Sequence, residues 1–223
     1  MRPAHAESLV VCRSLSSVYF NRMGHPTLSH QTLTPVLSEL EVQPTSYKLG
    51  ARETMKQSCL ELEEDLQGCD YIRLIELAQR SCDRFYLVWR EQLSFGQSAE
   101  DCAVDLAPWL ISEETTDTWD GTQLFGTTAT LRHYKLCSAS AQVLKKPGHL
   151  YAWLAPSLPE DLTFYTSGGA LWMASVSHER GAGFDNRWVP ADYLLHYIPA
   201  IKLRERPYPA GFLNRPTGQI PKE

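Results

Sequence analysis

From Ala51 to Gln67 apolar residues recur at Met55, Cys59, Leu62 and Leu66, a spacing that sets them on one stripe of a helix. Glu53, Glu61, Glu63, Glu64 and Asp65 occupy the remaining surface, and Gly68 marks the end of the element. A second helix is predicted from about Asp70 to Gln92, where Tyr71, Ile75, Ala78, Cys82, Phe85 and Trp89 repeat the same spacing. Leu74, Leu77, Leu87 and Val88 widen its apolar face, which implies a central, largely buried helix. A third is predicted over Ala99–Trp109, burying Cys102, Leu106 and Leu110, with Ser98 and Asp101 as a capping pair.

After Gly121 the texture changes to short segments rich in Thr, Tyr, Trp and Gly. Thr127–Cys137 reads as a strand, and Ala139–Lys146 as a short helix capped by Ser138 and stopped by Pro147-Gly148. Leu162–Thr166 and Ala170–Val176, joined through Ser167-Gly168-Gly169, predict a β-hairpin. Taken as a two-residue Gly-Gly turn, it sets Tyr165 opposite Trp172, Phe164 opposite Met173, and Glu160 opposite Ser177. Asp192–Ile198 adds a last helical turn. The expected architecture is one α+β domain over 51–203, helices mainly in its first half and an antiparallel sheet in its second. A Ser/Thr/Pro-rich arm over 1–50 precedes it, and an extended, Pro-rich basic tail over 204–223 follows.

Charge changes this picture. The 41 residues from Glu91 to Leu131 hold eight acids (Glu91, Glu100, Asp101, Asp105, Glu113, Glu114, Asp117 and Asp120) and no Lys or Arg, in a chain of net charge −5. Such a segment attracts a basic partner and repels nucleic acid or an anionic membrane. Near the start of the third predicted helix, Glu100, Asp101 and Asp105 also suit the positive end of its dipole. Trp109 and Trp119 lie within the segment, either as core residues or as apolar anchors ringed by acids. The basic tail residues Lys202, Arg204, Arg206, Arg215 and Lys222 lack the aromatic interleaving of an RNA-binding surface.

The six cysteines are spread without a CxxC, so reduced thiols are expected, and Cys82 on its apolar stripe reads as a core thiol. Leu9-Val10-Val11-Cys12 is shorter than the roughly 7–15 residues of a signal-peptide core, and a cytoplasmic location is the expectation. His25 and His30 fall in a Pro-containing segment where helical spacing does not make them a metal pair. No pattern asks for a cofactor or metal.

The open end of the predicted hairpin gathers Glu160, Asp161, Ser177, His178 and Glu179. With Asp161 and His178 as diagonal neighbours, two readings stand: a carboxylate orienting a general-base imidazole, with Glu179 completing a hydrolytic or metal-dependent site, or a hydrogen-bonded pair that closes the hairpin. Ser177, His178 and Glu179 alternate faces on a strand and do not make a triad among themselves.

The run Leu158-Pro-Glu-Asp-Leu-Thr-Phe-Tyr165 followed by Gly169-Ala-Leu-Trp-Met-Ala-Ser-Val-Ser-His-Glu179 resembles a pattern in uncharacterised bacterial proteins, some of which look like immunity proteins of toxin systems. Trp119-Asp-Gly-Thr-Gln-Leu124 belongs to the same pattern. The resemblance implies a small α+β protein without an established cofactor, and it assigns no catalytic residue. Together with the charge distribution it gives the leading expectation: a non-enzymatic protein whose acidic surface covers a basic site on a protein partner, such as a toxin. Trp109, Glu113, Glu114, Asp117, Trp119 and Asp120 are the candidate contacts. The alternative is a small hydrolase or metal-dependent enzyme using Asp161, His178 and Glu179.

Overall fold

The computed structural model describes residues 58–207. The predicted arm with His25 and His30, and the tail beyond 207, lie outside the described residues. In chain order the elements are β1 (Ser58–Leu62), α1 (Gly68–Ser81), β2 (Arg84–Arg90), α2 (Gln97–Leu106), β3 (Leu110–Thr116), β4 (Thr118–Trp119), β5 (Thr122–Gln123), β6 (Ala129–Lys135), α3 (Ser138–Lys145), β7 (Glu160–Tyr165), β8 (Leu171–Val176), β9 (Gly181–Asp185), α4 (Ala191–Tyr197) and β10 (Leu203–Pro207). Among the described residues eight strands form one antiparallel sheet in the order β10-β1-β9-β8-β7-β2-β6-β3, and β4 pairs with β5 as a separate ribbon. The α+β expectation holds at that level. The helices, however, are not gathered in the first half: helices and strands interleave along the described chain.

Two segments read as helix are strands. Ser58–Leu62 is held between β10 and β9, with Leu60 and Leu62 buried and Glu61 between them partly exposed, which is the two-residue alternation of a strand. The long helix predicted to Gln92 ends at Ser81, and Arg-Phe-Tyr-Leu-Val-Trp-Arg continues as β2. That strand is flanked by β6 and β7 and covered on both faces, so its continuous run of aromatic and branched residues is what burial requires. Leu110, expected under the third helix, instead opens β3 and is exposed. Gly68, expected to stop a helix, opens α1 with φ +54°.

The main core lies between one sheet face and the helices. α1 contributes Tyr71, Leu74, Ile75, Leu77 and Ala78; α2 contributes Cys102 and Leu106; α3 contributes Ala141, Val143 and Leu144; α4 contributes Leu194. Phe85, Phe164, Trp172 and Phe184 rise from the sheet to meet them, with Trp172 edge-on to both Phe164 and Phe184 at 6.1 and 5.4 Å between ring centres. The predicted hairpin is present, and Phe164 stands opposite Met173 as expected. Tyr165, however, stands opposite Leu171 because a bulge makes Trp172 the extra residue. α3 starts with a capping box of Cys137 and Ser140, whereas Ser138 was expected to cap it.

On the other sheet face a smaller cluster unites Tyr86 and Val88 of β2 with Ala129 and Leu131 of β6 and Trp119 of the β4–β5 ribbon. The ribbon folds back at Asp120-Gly121, where Gly121 takes φ +82°, a conformation glycine adopts without a Cβ penalty. At the far edge β10 pairs with β1, so the sheet runs to Pro207, past the boundary expected at 203. There Arg206 pairs with Glu61, Arg204 with Glu63, and Lys202 with Glu64 at 2.6 Å. These three basic residues are therefore part of a charge-paired edge.

Candidate functional site

The acidic segment is not one surface patch. Asp105 bridges to Lys146 at 2.5 Å, and Asp101 accepts from the Gln97 side chain at 2.9 Å. Glu113 and Glu114 lie on β3, the last strand of the sheet among the described residues. Glu113 meets Arg132 at 2.7 Å and Glu114 lies 3.7 Å from His133. Because Arg132 and His133 are consecutive on β6, they point to opposite faces, and the two carboxylates flank the edge on opposite faces with them. Asp117 is exposed at the end of this strand, and Trp109 packs partly buried against the main core at its start.

Trp119 and Asp120, expected as partner contacts, are instead buried, at 2% and 7% exposure. Their polar groups build a double latch between ribbon and sheet. The Trp119 indole Nε1–H donates to Asp161 Oδ2 at 2.9 Å. In the opposite sense, Asp120 Oδ2 accepts from Tyr86 OH at 2.8 Å and from Tyr165 OH. Each side thus offers a carboxylate to the other.

Asp161 is fully buried and carries φ +56°, a left-handed backbone that Asp tolerates better than most residues. Its Oδ1 accepts the Ser177 amide at 2.9 Å. The bend turns both Glu160 and Asp161 toward the ribbon side, where Glu160 receives both guanidinium arms of Arg90, Nη2 donating to Oε1 at 2.8 Å. Glu160 is therefore the partner of Arg90, which replaces the expected pairing with Ser177. Burial pushes the Asp161 carboxyl up to about 6; the Ser177 and Trp119 donors and His178 pull it down, and Glu160 adds to the rise.

The sign of this shift sets a pH dependence. The folded state holds the Asp161 proton to about pH 6 while the unfolded chain releases it near 3.8, so stability falls as pH rises through that window. Two pH units correspond to about 3 kcal/mol. Unfolding free energies measured from pH 4 to 7 should show the difference between the native chain and Asp161→Asn shrinking or reversing across this range. A difference independent of pH would contradict a proton held on Asp161.

His178 and Glu179 sit on a turn after β8, exposed, with His178 Nε2 3.8 Å from Glu179 Oε1. Asp161 lies beneath them with its oxygens occupied by Trp119 and Ser177. Asp161 is thus buried while His178 and Glu179 are exposed, and the three do not share one solvent-facing surface. Among the described residues no group of three His, Cys, Asp or Glu side chains is arranged to hold a metal ion. Cys59, Cys82, Cys102 and Cys137 carry free thiols, and burial pushes the Cys82 thiol far up, which makes it an unreactive core group. Among the described residues no helix is long and apolar enough to cross a membrane.

Tyr86, Tyr165, Arg90 and Glu160 did not emerge as a polar network from the sequence. One local signal was available: Trp119-Asp-Gly-Thr122 carries the Asp-Gly pair of a tight hairpin. It would have announced the ribbon, though not what the ribbon covers. No protein-family model, no curated protein and no solved structure matches this chain.

Proposed function

We propose that this chain is a protein-binding protein of immunity type, which receives a basic partner along the outer edge of β3. The observation that supports it best is that Leu110–Thr115 are all exposed on a strand that is the sheet's last among the described residues, with Glu113 and Glu114 on its two faces. An acidic edge of this kind speeds encounter with a positive partner, and the exposed Leu110 and Ile111 beside it offer apolar contact that slows release. Trp119 and Asp120 serve this surface indirectly, by anchoring the ribbon that follows it. Asp117 remains a candidate contact, and Trp109 a peripheral one.

An enzymatic use of Asp161, His178 and Glu179 has less support, because the carboxylate with the raised affinity for protons is sealed from solvent and already engaged by two donors.

The test is capture of partners by the purified chain at low and high salt, with identification by mass spectrometry. A basic protein released by salt, and lost when Glu113, Glu114 and Asp117 are all changed to Lys, is the expected outcome. Because Glu113→Lys sets a lysine directly opposite Arg132, some stability should be lost, and capture is compared at a temperature below the unfolding midpoint of both chains. Equal capture by the native and the reversed chain would refute the reading.

A further inference from the structure

We propose that the β4–β5 ribbon is a strap that lifts from the sheet as a unit and is held shut more tightly in acid than at neutral pH, with Asp161 as its proton-carrying catch. The inference stands apart from the protein-binding reading and does not depend on it. The ribbon is self-contained. Thr118 pairs with Gln123 and Trp119 with Thr122, and across the base the Leu124 amide donates to the Asp117 carbonyl at 2.7 Å. These bonds are internal and move with it. Side chains at its tip fasten it to the large sheet: Trp119 packs on Tyr86, Val88, Ala129 and Leu131, the indole donates to Asp161, and Asp120 accepts from the Tyr86 and Tyr165 hydroxyls.

The catch lies beneath the strap. Asp161 is buried with φ +56°, and its oxygens are divided between sheet and ribbon: Oδ1 takes the Ser177 amide and Oδ2 the Trp119 indole, both at 2.9 Å. Lifting the ribbon removes the second donor and lets water reach the carboxyl. With the strap closed, burial above all holds the proton on Asp161 to about pH 6, helped by Glu160 and opposed by the Ser177 and Trp119 donors and by His178. With the strap open the cost of burial goes, and the carboxyl releases its proton closer to the ordinary 3.8. The closed form therefore keeps a proton that the open form gives up, so a rise from about pH 4 to 6 favours opening, and the dependence levels off above that window. The other charged and titratable groups around the catch are Glu160 with Arg90 of β2, His178 with Glu179 on the turn after β8, and Asp120 with Tyr86 and Tyr165. Asp120 acts in the opposite sense: a proton on its carboxylate weakens the hold on the two hydroxyls, so a strap governed by Asp120 would open in acid.

The test follows hydrogen exchange in the full chain by NMR from about pH 4.5 to 7.5, each rate being divided by the intrinsic exchange rate at that pH. The probes are hydrogens that the strap's anchors hold: the Trp119 indole Nε1–H, and the Asp120 amide, which donates to Tyr86 OH at 3.3 Å. They should open about tenfold or more above the Phe85 and Tyr86 amides of the central strand β2, and their opening should rise about tenfold or more across the pH range. In Asp161→Asn, which tolerates the same left-handed backbone and does not titrate, the rise should vanish, whereas His178→Gln should keep it. Ribbon and sheet probes opening together, opening independent of pH, or greater opening in acid would each overturn the strap. So would a rise that survives in Asp161→Asn or is lost in His178→Gln. If Asp161→Asn does not fold, the native chain decides: the opening profile must follow the titration of the Asp161 carboxyl read from its carbon-13 shift, and a mismatch overturns the proposal.

Discussion

Trp119→Ala should lower the free energy of unfolding by about 4 kcal/mol, measured by denaturant titration at pH 7. Two losses contribute. The indole is 2% exposed and fills the space between the ribbon and Tyr86, Val88, Ala129 and Leu131, and truncating a buried tryptophan costs about 3–5 kcal/mol. The change also strips Asp161 of its Nε1–H donor, leaving the buried carboxylate on the Ser177 amide alone. An unsatisfied buried acceptor adds about 1–3 kcal/mol, offset where the ribbon relaxes and admits water. Trp119→Phe separates the two losses, because it keeps most of the packing and removes only the donor; a deficit of about 1–3 kcal/mol is expected. Since Asp161 holds its proton up to about pH 6, the donor is worth less in acid, and the deficit of Trp119→Phe should narrow between pH 7 and 5. A loss below about 1 kcal/mol for Trp119→Ala would mean that the ribbon is not anchored through its indole.

The legible parts of this fold are those governed by neighbours in sequence. α2 and α3 follow from a periodic stripe with nearby breakers, and the β7–β8 hairpin from its glycine turn. β1 and β2 were not legible as strands because a short apolar run is compatible with either period, and the deciding term is pairing with distant segments. Leu60 lies across from Phe184 and Glu205, and Val88 across from Leu131, partners that periodicity within a window does not contain. Arg84–Arg90 nonetheless carried a compositional signal, since Phe, Tyr, Val and Trp in a run bounded by arginines favour a strand. The candidate site divides in the same way. The exposed acids on β3 are visible as charge in the sequence, whereas the burial of Trp119 and Asp120 depends on Tyr86, Tyr165 and Asp161, residues 34 to 45 positions away.

Arg90→Met should be as costly as the loss of the ribbon anchor, at about 3–5 kcal/mol, for a different reason. Glu160 is 1% exposed and Arg90 is 15% exposed, so deleting the guanidinium leaves a carboxylate in the sheet interior without its counter-charge. The pair itself contributes far less than that figure, because bringing both ions out of water offsets most of their attraction. It follows that Arg90→Met combined with Glu160→Leu should recover most of the loss and bring stability to within about 1–2 kcal/mol of the native chain, since apolar groups of similar volume replace a buried ion pair at little net cost. Arg90→Lys keeps the charge but presents no planar fork to the two carboxylate oxygens, and should fall between native and Arg90→Met. The native chain, Arg90→Met, Glu160→Leu and the double variant close a double-mutant cycle whose coupling energy isolates the contact. A single-variant loss below about 1 kcal/mol, the range of exposed pairs, would place Glu160 in contact with water. A double variant no better than the single would instead assign the effect to packing of the arginine stem, leaving the buried carboxylate without need of its partner.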